Sequence, residues 1–469
     1  MKLEIENFKS IRRASFNLNN GLNVLIGPNG SGKSCIFTSL KFIRDVLHHG
    51  AALAVAQGGG PNRVYRKGAS KITFRISIPY GQRMVNRRKM QCEFVWQFSI
   101  SQHGSDGIAI IEGEEMHIST VGDSPIKVFS FSLVEKNRKR SFSVNLAKTI
   151  IGRDLFSVLN SMNRAGNMEA MYGDFSKRVD ELKKSVKDGS DKVLFPHIAF
   201  FDHGLRSLYM GLARLNEYNV LPDVARASSE QLRTVFMRPN GAGVAEVIHA
   251  LESKAFHKIE AGGVPDAYED YPFWGGNYPY MRFYMRPYGY GFSRREIKGI
   301  ETALDRIGSE LIAGVRSIEG VSTQIDQNTG KRFLVFKSGR NIFFPDEASD
   351  GTIKWLCILV SIFVPNSKTY LLEEPENFLH PWMQQRLVEI MRARAEENGS
   401  MFLITSHSTT VLNAVKPDEV LIVTQSDREG TCVTEIECRD EIEAALKETN
   451  FGLGDLWVSG AIKGVPTDA

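Results

Sequence analysis

Gly27-Pro28-Asn29-Gly30-Ser31-Gly32-Lys33-Ser34 is the stretch on which the reading of this chain turns. It fits the spacing G-x-x-x-x-G-K-S, in which glycines let backbone N–H groups close around a phosphate while a helix N-terminus adds the positive end of its dipole. That chemistry needs a strand entering the loop and a helix leaving it. Residues 22–26 (LNVLI) form a buried strand, set off by the turn at Asn19-Asn20-Gly21. Beyond the loop, Ile36, Leu40, Ile43 and Leu47 recur at spacings of four, three and four. The pattern lays one apolar stripe on a helix of about three turns that ends near Gly50. In that frame Asn29, Gly30, Ser31 and Gly32 form the cradle, Lys33 reaches the β- and γ-phosphates, and the Ser34 hydroxyl is the expected ligand of Mg²⁺.

Three downstream stations can complete such a site. Residues 368–374 (KTYLLEE) are an apolar strand ending in two carboxylates. Glu373 can hold Mg²⁺ through water, and Glu374 can orient or deprotonate an attacking water. Adjacent acids at a buried strand end repel one another, and a metal ion beside a nucleotide relieves them. Residues 401–405 (MFLIT) predict a second buried strand, which puts Ser406-His407-Ser408 at the carboxyl edge of the sheet, where open α/β sheets bind ligands. His407 can there touch a γ-phosphate or the water. Ala348-Ser349-Asp350-Gly351-Thr352 precedes a helix carrying Leu356, Val360 and Phe363 on one face, so Ser349 and the N–H groups near Gly351 offer a second anion-binding helix start. An ordinary N-cap explains that segment equally well.

Working outward, the first residues predict two strands before residue 22, and residues 71–137 hold four Val-, Ile- and Phe-rich runs expected to form an antiparallel meander. Between about residues 142 and 260 the period becomes helical, in segments such as DLFSVLNSMNR, DFSKRVDELKKSV and GVAEVIHALESKAF, all too short for a long coiled-coil arm. Residues 262–292 set many aromatics among Gly, Pro and Arg and read as an inserted loop. A helix over residues 295–312, a hairpin over 323–344 and an alternating αβ series follow, with Pro381 and Gly399 framing one helix. The expected fold is α/β, a mixed sheet with an antiparallel meander lobe and an inserted helical subdomain. Its domains are residues 1–140 (N-terminal lobe with the phosphate loop), 141–320 (insertion) and 321–469 (C-terminal lobe).

Composition narrows the classes further. Across 469 residues, 42% apolar and 24% charged content is that of a soluble globular chain with a real core. No run is long enough for a membrane-spanning helix and no secretory pattern opens the chain, which reads as cytoplasmic. Five cysteines without a C-x-x-C pair argue against zinc and against a disulfide framework. A net charge of +4 is far from that of a dedicated DNA-binding module. The local basic clusters at Arg63, Arg66 and Lys67, at Arg83 and Arg87-Arg88-Lys89, and at Arg138-Lys139-Arg140 read first as solvated hairpin tips.

The four stations GPNGSGKS, ASDGT, LLEEPE and TSHS, in that order, resemble the ABC-type ATPases of the RecF, SMC and OLD families. NFKSI, LLEEPENFLHP and GLGDLWVSGAIKGVP look most like the compact ATPase subunits of bacterial anti-phage systems such as Septu, with the PARIS ATPase a second relative. Residues 216–222 (NEYNVLP) and 240–243 (NGAG) are similar to a helical lid segment of that group. The resemblance implies an ABC-type P-loop ATPase head that binds ATP and Mg²⁺ between two copies of itself, in a head-to-head dimer or a higher homo-oligomer. Ser349 and Gly351 of one copy would reach the γ-phosphate held by Lys33 of the other. It implies Glu373 in the place of the usual Asp, Glu374 as catalytic base and His407 as switch. Gln57, Gln82 and Gln91 compete for the place of a further glutamine. About sixty residues follow His407, fewer than a TOPRIM nuclease needs, so a separate nuclease subunit, HNH-type by preference, is the expected partner. Two other functions stand beside this sensor role: a RecF-like ATPase holding DNA on the basic clusters, and a scaffold that binds ATP without hydrolysing it.

Overall fold

The computed structural model describes residues 1–85, 88–103, 108–122, 125–136, 139–146, 193, 195–196, 203–229, 237–253, 302–364, 368–426, 428–437, 439–448 and 451–462. The aromatic segment 262–292, the runs DLFSVLNSMNR and DFSKRVDELKKSV, and Arg87 and Arg138 lie outside the described residues. The chain divides into two compact units, one of Met1–Leu18, Gly30–Ala213 and Thr424–Thr434, the other of Asn19–Asn29, Arg214–Val423 and Glu435–Ala469.

The first unit is an antiparallel sheet with a helix against it. Strands β1 (Lys2–Phe8) and β2 (Ile11–Asn17) form a hairpin, with Phe8 opposite Ile11. On its other side β1 pairs with β4 (Lys71–Val85), and β5 (Arg88–His103), β6 (Ile108–Thr120) and β7 (Lys127–Lys136) continue the expected meander. A fifth strand, β8 (Lys139–Leu146), extends it beyond the four runs anticipated, because the basic residues at its start hid its alternation. Helix α1 (Lys33–His49) has seventeen residues, longer than the three turns read from its stripe. Ile36, Leu40, Ile43 and Leu47 are all buried, and Phe42 joins an aromatic cluster with Phe8 and Phe74 at centroid distances of 5.3 and 5.7 Å. Such contacts add to the burial of apolar area that holds sheet and helix together. Helix α2 (Ala51–Gln57) follows, and α3 (His203–Ala213) closes the unit.

The second unit is built on a parallel sheet. Strand β3 (Leu22–Ile26) pairs on one side with residues 420–422 of β15 (Val420–Ser426) and on the other with β14 (Met401–Thr405). Next come β13 (Thr369–Glu373) and β9 (Leu215–Tyr218), all parallel. Every residue of β3 is buried, as expected of a strand covered on both faces. The segment likened to a helical lid is thus partly strand: Asn216, Glu217 and Tyr218 lie in β9, alongside β13, and only then does the short helix α4 (Pro222–Arg226) begin. Helix α5 (Val244–Glu252) and helix α6 (Ala303–Gly314) follow, and three strands, β10 (Gly320–Ile325), β11 (Arg332–Ser338) and β12 (Asn341–Phe343), stand where a two-stranded hairpin was expected.

Helix α7 (Asp350–Phe363) corrects a second expectation. Its sequence suggested one apolar face, yet every residue from Thr352 to Phe363 is buried, so the helix is central to the unit. Trp355 is fully buried and donates its indole N–H to the Glu310 carbonyl at 3.0 Å, which satisfies the one polar atom of the ring. Helix α8 (Pro381–Asn398) begins at Pro381 behind an N-cap at His380, and ends at Gly399 with φ 70°, the left-handed value that glycine tolerates. Helices α9 (Thr409–Ala414) and α10 (Leu453–Val458) complete the elements used below. The described elements are thus mixed α/β, with an antiparallel sheet in the first unit and a parallel one in the second. Among the described residues no helix is long and apolar enough to cross a membrane.

Candidate phosphate loop and carboxylate edge

The glycine-rich loop owes its course to backbone freedom. Gly27, Gly30 and Gly32 have φ values of 146°, 79° and 102°, which side chains other than glycine rarely adopt. Gly32 also lacks room, since a methyl group there would lie 2.1 Å from the Thr431 hydroxyl. Thr431, on the strand β16 (Gly430–Glu435), is 2.7 Å from the Ser10 hydroxyl, which donates to the Cys35 thiol at 3.1 Å. The end of the loop is therefore braced by the turn between β1 and β2. Lys33 is buried as the first residue of α1, and Ser34 is exposed. The Ser31 hydroxyl is buried and has no hydrogen-bond partner among the described residues. An orphaned hydroxyl in a cradle of glycines fits an anionic oxygen, so the loop fits a phosphate group.

At the carboxyl edge of the parallel sheet, register brings the downstream stations together. Glu373 lies opposite Thr405, Thr405 lies opposite Leu25, and the Ser406 amide donates to the Leu25 carbonyl at 3.1 Å. Residues 27–29, Glu373 with Glu374, and Ser406 with His407 thus leave three neighbouring strands at one edge. Glu374 is held in the left-handed region at φ 41°, uncommon for a side chain of its kind and a mark of backbone strain. Its N–H donates to the Thr405 hydroxyl at 3.1 Å, its carbonyl accepts from Lys354 Nζ at 3.1 Å, and one carboxylate oxygen accepts from the Asn377 amide at 2.8 Å. The other oxygen is 3.9 Å from His407 Nε2. Both side chains are partly exposed, so each can meet a ligand.

Lys354 and Glu376 were not singled out from the sequence. Burial lowers the Lys354 ammonium pKa, against the opposing pull of Glu376 and Glu374. A lone lysine in the apolar run IKWLCILV was the signal available. Glu376 is buried and accepts from the Ser406 hydroxyl at 2.7 Å and the His407 amide at 3.0 Å.

Ser349 is exposed as the N-cap of α7, its hydroxyl accepting from the Thr352 amide at 3.2 Å. Gly351 has a packing reason to be glycine: a methyl group would come within 2.5 Å of the Phe378 carbonyl. Arg226 clamps this helix start, donating to the carbonyls of Pro345 and Ala348 and to the Asp350 carboxylate at 3.1, 2.9 and 2.5 Å. Of the three glutamines considered, Gln82 and Gln91 face each other across β4 and β5, and Gln57 ends α2. Arg66 donates to the Ser10 carbonyl at 2.9 Å, whereas Arg63, Lys67, Arg88 and Lys89 are exposed.

Two protein-family models match the chain. One, described as "AAA domain", covers residues 2–192, and the other, described as "AAA domain, putative AbiEii toxin, Type IV TA system", covers residues 272–413. No protein of curated function matches. Among solved structures the chain is similar to an SMC head bound to the C-terminal winged-helix domain of ScpA, with 13% identity, 94% of this chain and 98% of that chain covered, and a TM-score of 0.45. It is also similar to the SMC head domain from Thermotoga maritima (12%, 93% and 98%, TM-score 0.37) and to an SMC head with coiled coil and joint from Pyrococcus yayanosii (14%, 96% and 99%, TM-score 0.40). The phosphate loop falls within the first of these two matches, and Ser349, Glu373, Glu374 and His407 fall within the second.

Proposed function

We propose that this P-loop ATPase binds and hydrolyses ATP with Mg²⁺ as the sensor subunit of a bacterial anti-phage complex, working in the cytoplasm and governing a separate nuclease. One observation carries the ATPase part: in the second unit the departure of the phosphate loop, the Glu373-Glu374 pair and His407 share one edge of a parallel sheet. In this reading the loop N–H groups, Ser31 and Lys33 bind the phosphates of the substrate. Ser34 and Glu373 would hold Mg²⁺, which supplies charge neutralisation at the phosphate oxygens. Glu374 orients a water for in-line attack on the γ-phosphorus and takes its proton as the bond to ADP breaks. His407 steadies that water or the γ-phosphate. Ser349 and Gly351 reach the γ-phosphate of a second copy, so that nucleotide sets the geometry of a dimer or larger ring, with residues 141–320 as an insertion into the head. The toxin–antitoxin description of the model matching residues 272–413 supports a defence role.

The test is multiple-turnover release of phosphate by the purified chain, with nucleotide binding measured in parallel. Turnover that disappears in Glu374→Gln while binding persists is the expected result. Binding without turnover in the unaltered protein leaves the scaffold reading, and no binding at all ends the proposal. Affinity purification with mass spectrometry tests the remainder: a nuclease of HNH or related type should travel with the chain, and its absence removes the regulatory half.

A further inference from the structure

The third glutamate of LLEEPE has no part in the steps above, yet it is the most enclosed of the three. Glu376 is 5% exposed. One carboxylate oxygen takes both the Ser406 hydroxyl and the His407 amide, and the other is buried without a hydrogen-bond partner among the described residues. Burying a carboxylate is unfavourable unless its oxygens are satisfied and its charge is countered. Here the buried Lys354 supplies the counter-charge, on a side chain that is already committed to the Glu374 carbonyl.

The local chain geometry makes this carboxylate a ruler. The Asn377 amide donates to the Glu374 carbonyl at 3.2 Å and the Leu379 amide to the Glu376 carbonyl at 2.9 Å, so Glu374 and Glu376 belong to one closed turn. From that turn Glu376 grips the backbone of His407, whose ring stands 3.9 Å from the Glu374 carboxylate. We infer that Glu376 is a positioning residue that fixes the Ser406-His407 loop against Glu374. The inference rests on the ATPase reading for its catalytic consequence and on the hydrogen bonds alone for its structural one. Without the acceptor, the Ser406 hydroxyl and the His407 amide turn to water and the imidazole loses its register with the base. The phosphate loop, held by its own glycines and by Thr431, keeps its shape.

Two measurements on the full chain test this. Hydrogen exchange at the His407 amide should quicken ~10-fold or more in Glu376→Ala and stay near the parent rate in Glu376→Gln, whose amide oxygen still accepts. An unchanged rate in Glu376→Ala, or equal acceleration in both variants, overturns the inference whether or not the protein hydrolyses ATP. In the enzyme assay kcat should fall ~10-fold or more in Glu376→Ala, with nucleotide Kd changed less than ~2-fold, and recover in Glu376→Gln. A loss of affinity that accounts for the whole defect would show a merely structural role and also overturn it. Should Glu376→Ala fail to fold, Ser406→Ala removes one of the two donors and should give a smaller change of the same kind, while parent-like exchange and kcat in that variant count against the anchor. Absence of turnover in the unaltered protein sinks the ATPase reading and leaves the exchange experiment to decide the anchor.

Discussion

Gly32 and Gly351 are both glycines beside candidate phosphate-binding groups, and they are constrained by different neighbours. At Gly32 the left-handed φ of 102° and the Thr431 side chain both exclude a methyl group. Gly32→Ala should destabilise the protein by roughly 1–3 kcal/mol through overpacking, and should weaken nucleotide binding more than Gly30→Ala, where a Cβ meets no neighbour and only the φ of 79° opposes it. Denaturant unfolding and nucleotide titration of the two variants check this. Residue-scale chemistry also sets a pH dependence at His48 on α1. Burial lowers its pKa to about 4 from 6.5, although its Nε2–H donates to the Ala213 carbonyl at 2.6 Å. Above 6.5 both folded and unfolded chains carry a neutral ring, and its contribution to stability is complete. As pH falls from 6.5 through about 4, the unfolded chain takes a proton that the folded chain refuses, so stability declines, on the order of 3 kcal/mol for a shift of this size. In His48→Gln that part of the decline should vanish. Equal pH dependence of unfolding in parent and variant would refute it.

Among elements, α7 carries the sharpest expectation because it is enclosed on all sides. Trp355→Ala should cost about 3–5 kcal/mol, since it opens a cavity and removes the hydrogen bond to the Glu310 carbonyl. Ser349→Ala removes the cap bond from the Thr352 amide and the bond shared with the Thr352 hydroxyl, so its stability cost should be nearer ~1 kcal/mol, measured by thermal or denaturant melting. A large effect of Ser349→Ala on turnover beside that small one on stability would separate its proposed role from its capping. Helix α1 was legible from its apolar stripe, Ile36, Leu40, Ile43 and Leu47, and α8 from Pro381 at its start and Gly399 at its end. The identity of α7 as a wholly buried helix was not legible, because a short apolar run is compatible with a one-sided helix until its neighbours are known. Residues 216–218 were included in a lid-like segment for a related reason: the four residues of β9 carry too little pattern to announce a strand whose partner, β13, lies more than a hundred positions away in the chain.

For the molecule as a whole, the proposed function requires two copies to meet over nucleotide. Glu374→Gln with ATP and Mg²⁺ should shift from monomer toward dimer in light scattering or sedimentation, and adding Ser349→Arg should reverse the shift; dimerisation indifferent to both would refute the proposed arrangement. What the sequence determined by itself was local: the strand, glycine loop and helix of residues 22–49, the Glu373-Glu374 pair at a strand end, and His407 after another. These follow from spacing, side-chain volume and backbone freedom within a few residues. Tertiary structure decided which groups hold them. Glu376 reaches His407 across 31 positions, Lys354 reaches Glu374 across 20, and Arg226 reaches Asp350 across 124. Hydrogen bonds of that kind depend on strand register and helix packing, which no local pattern of residues encodes.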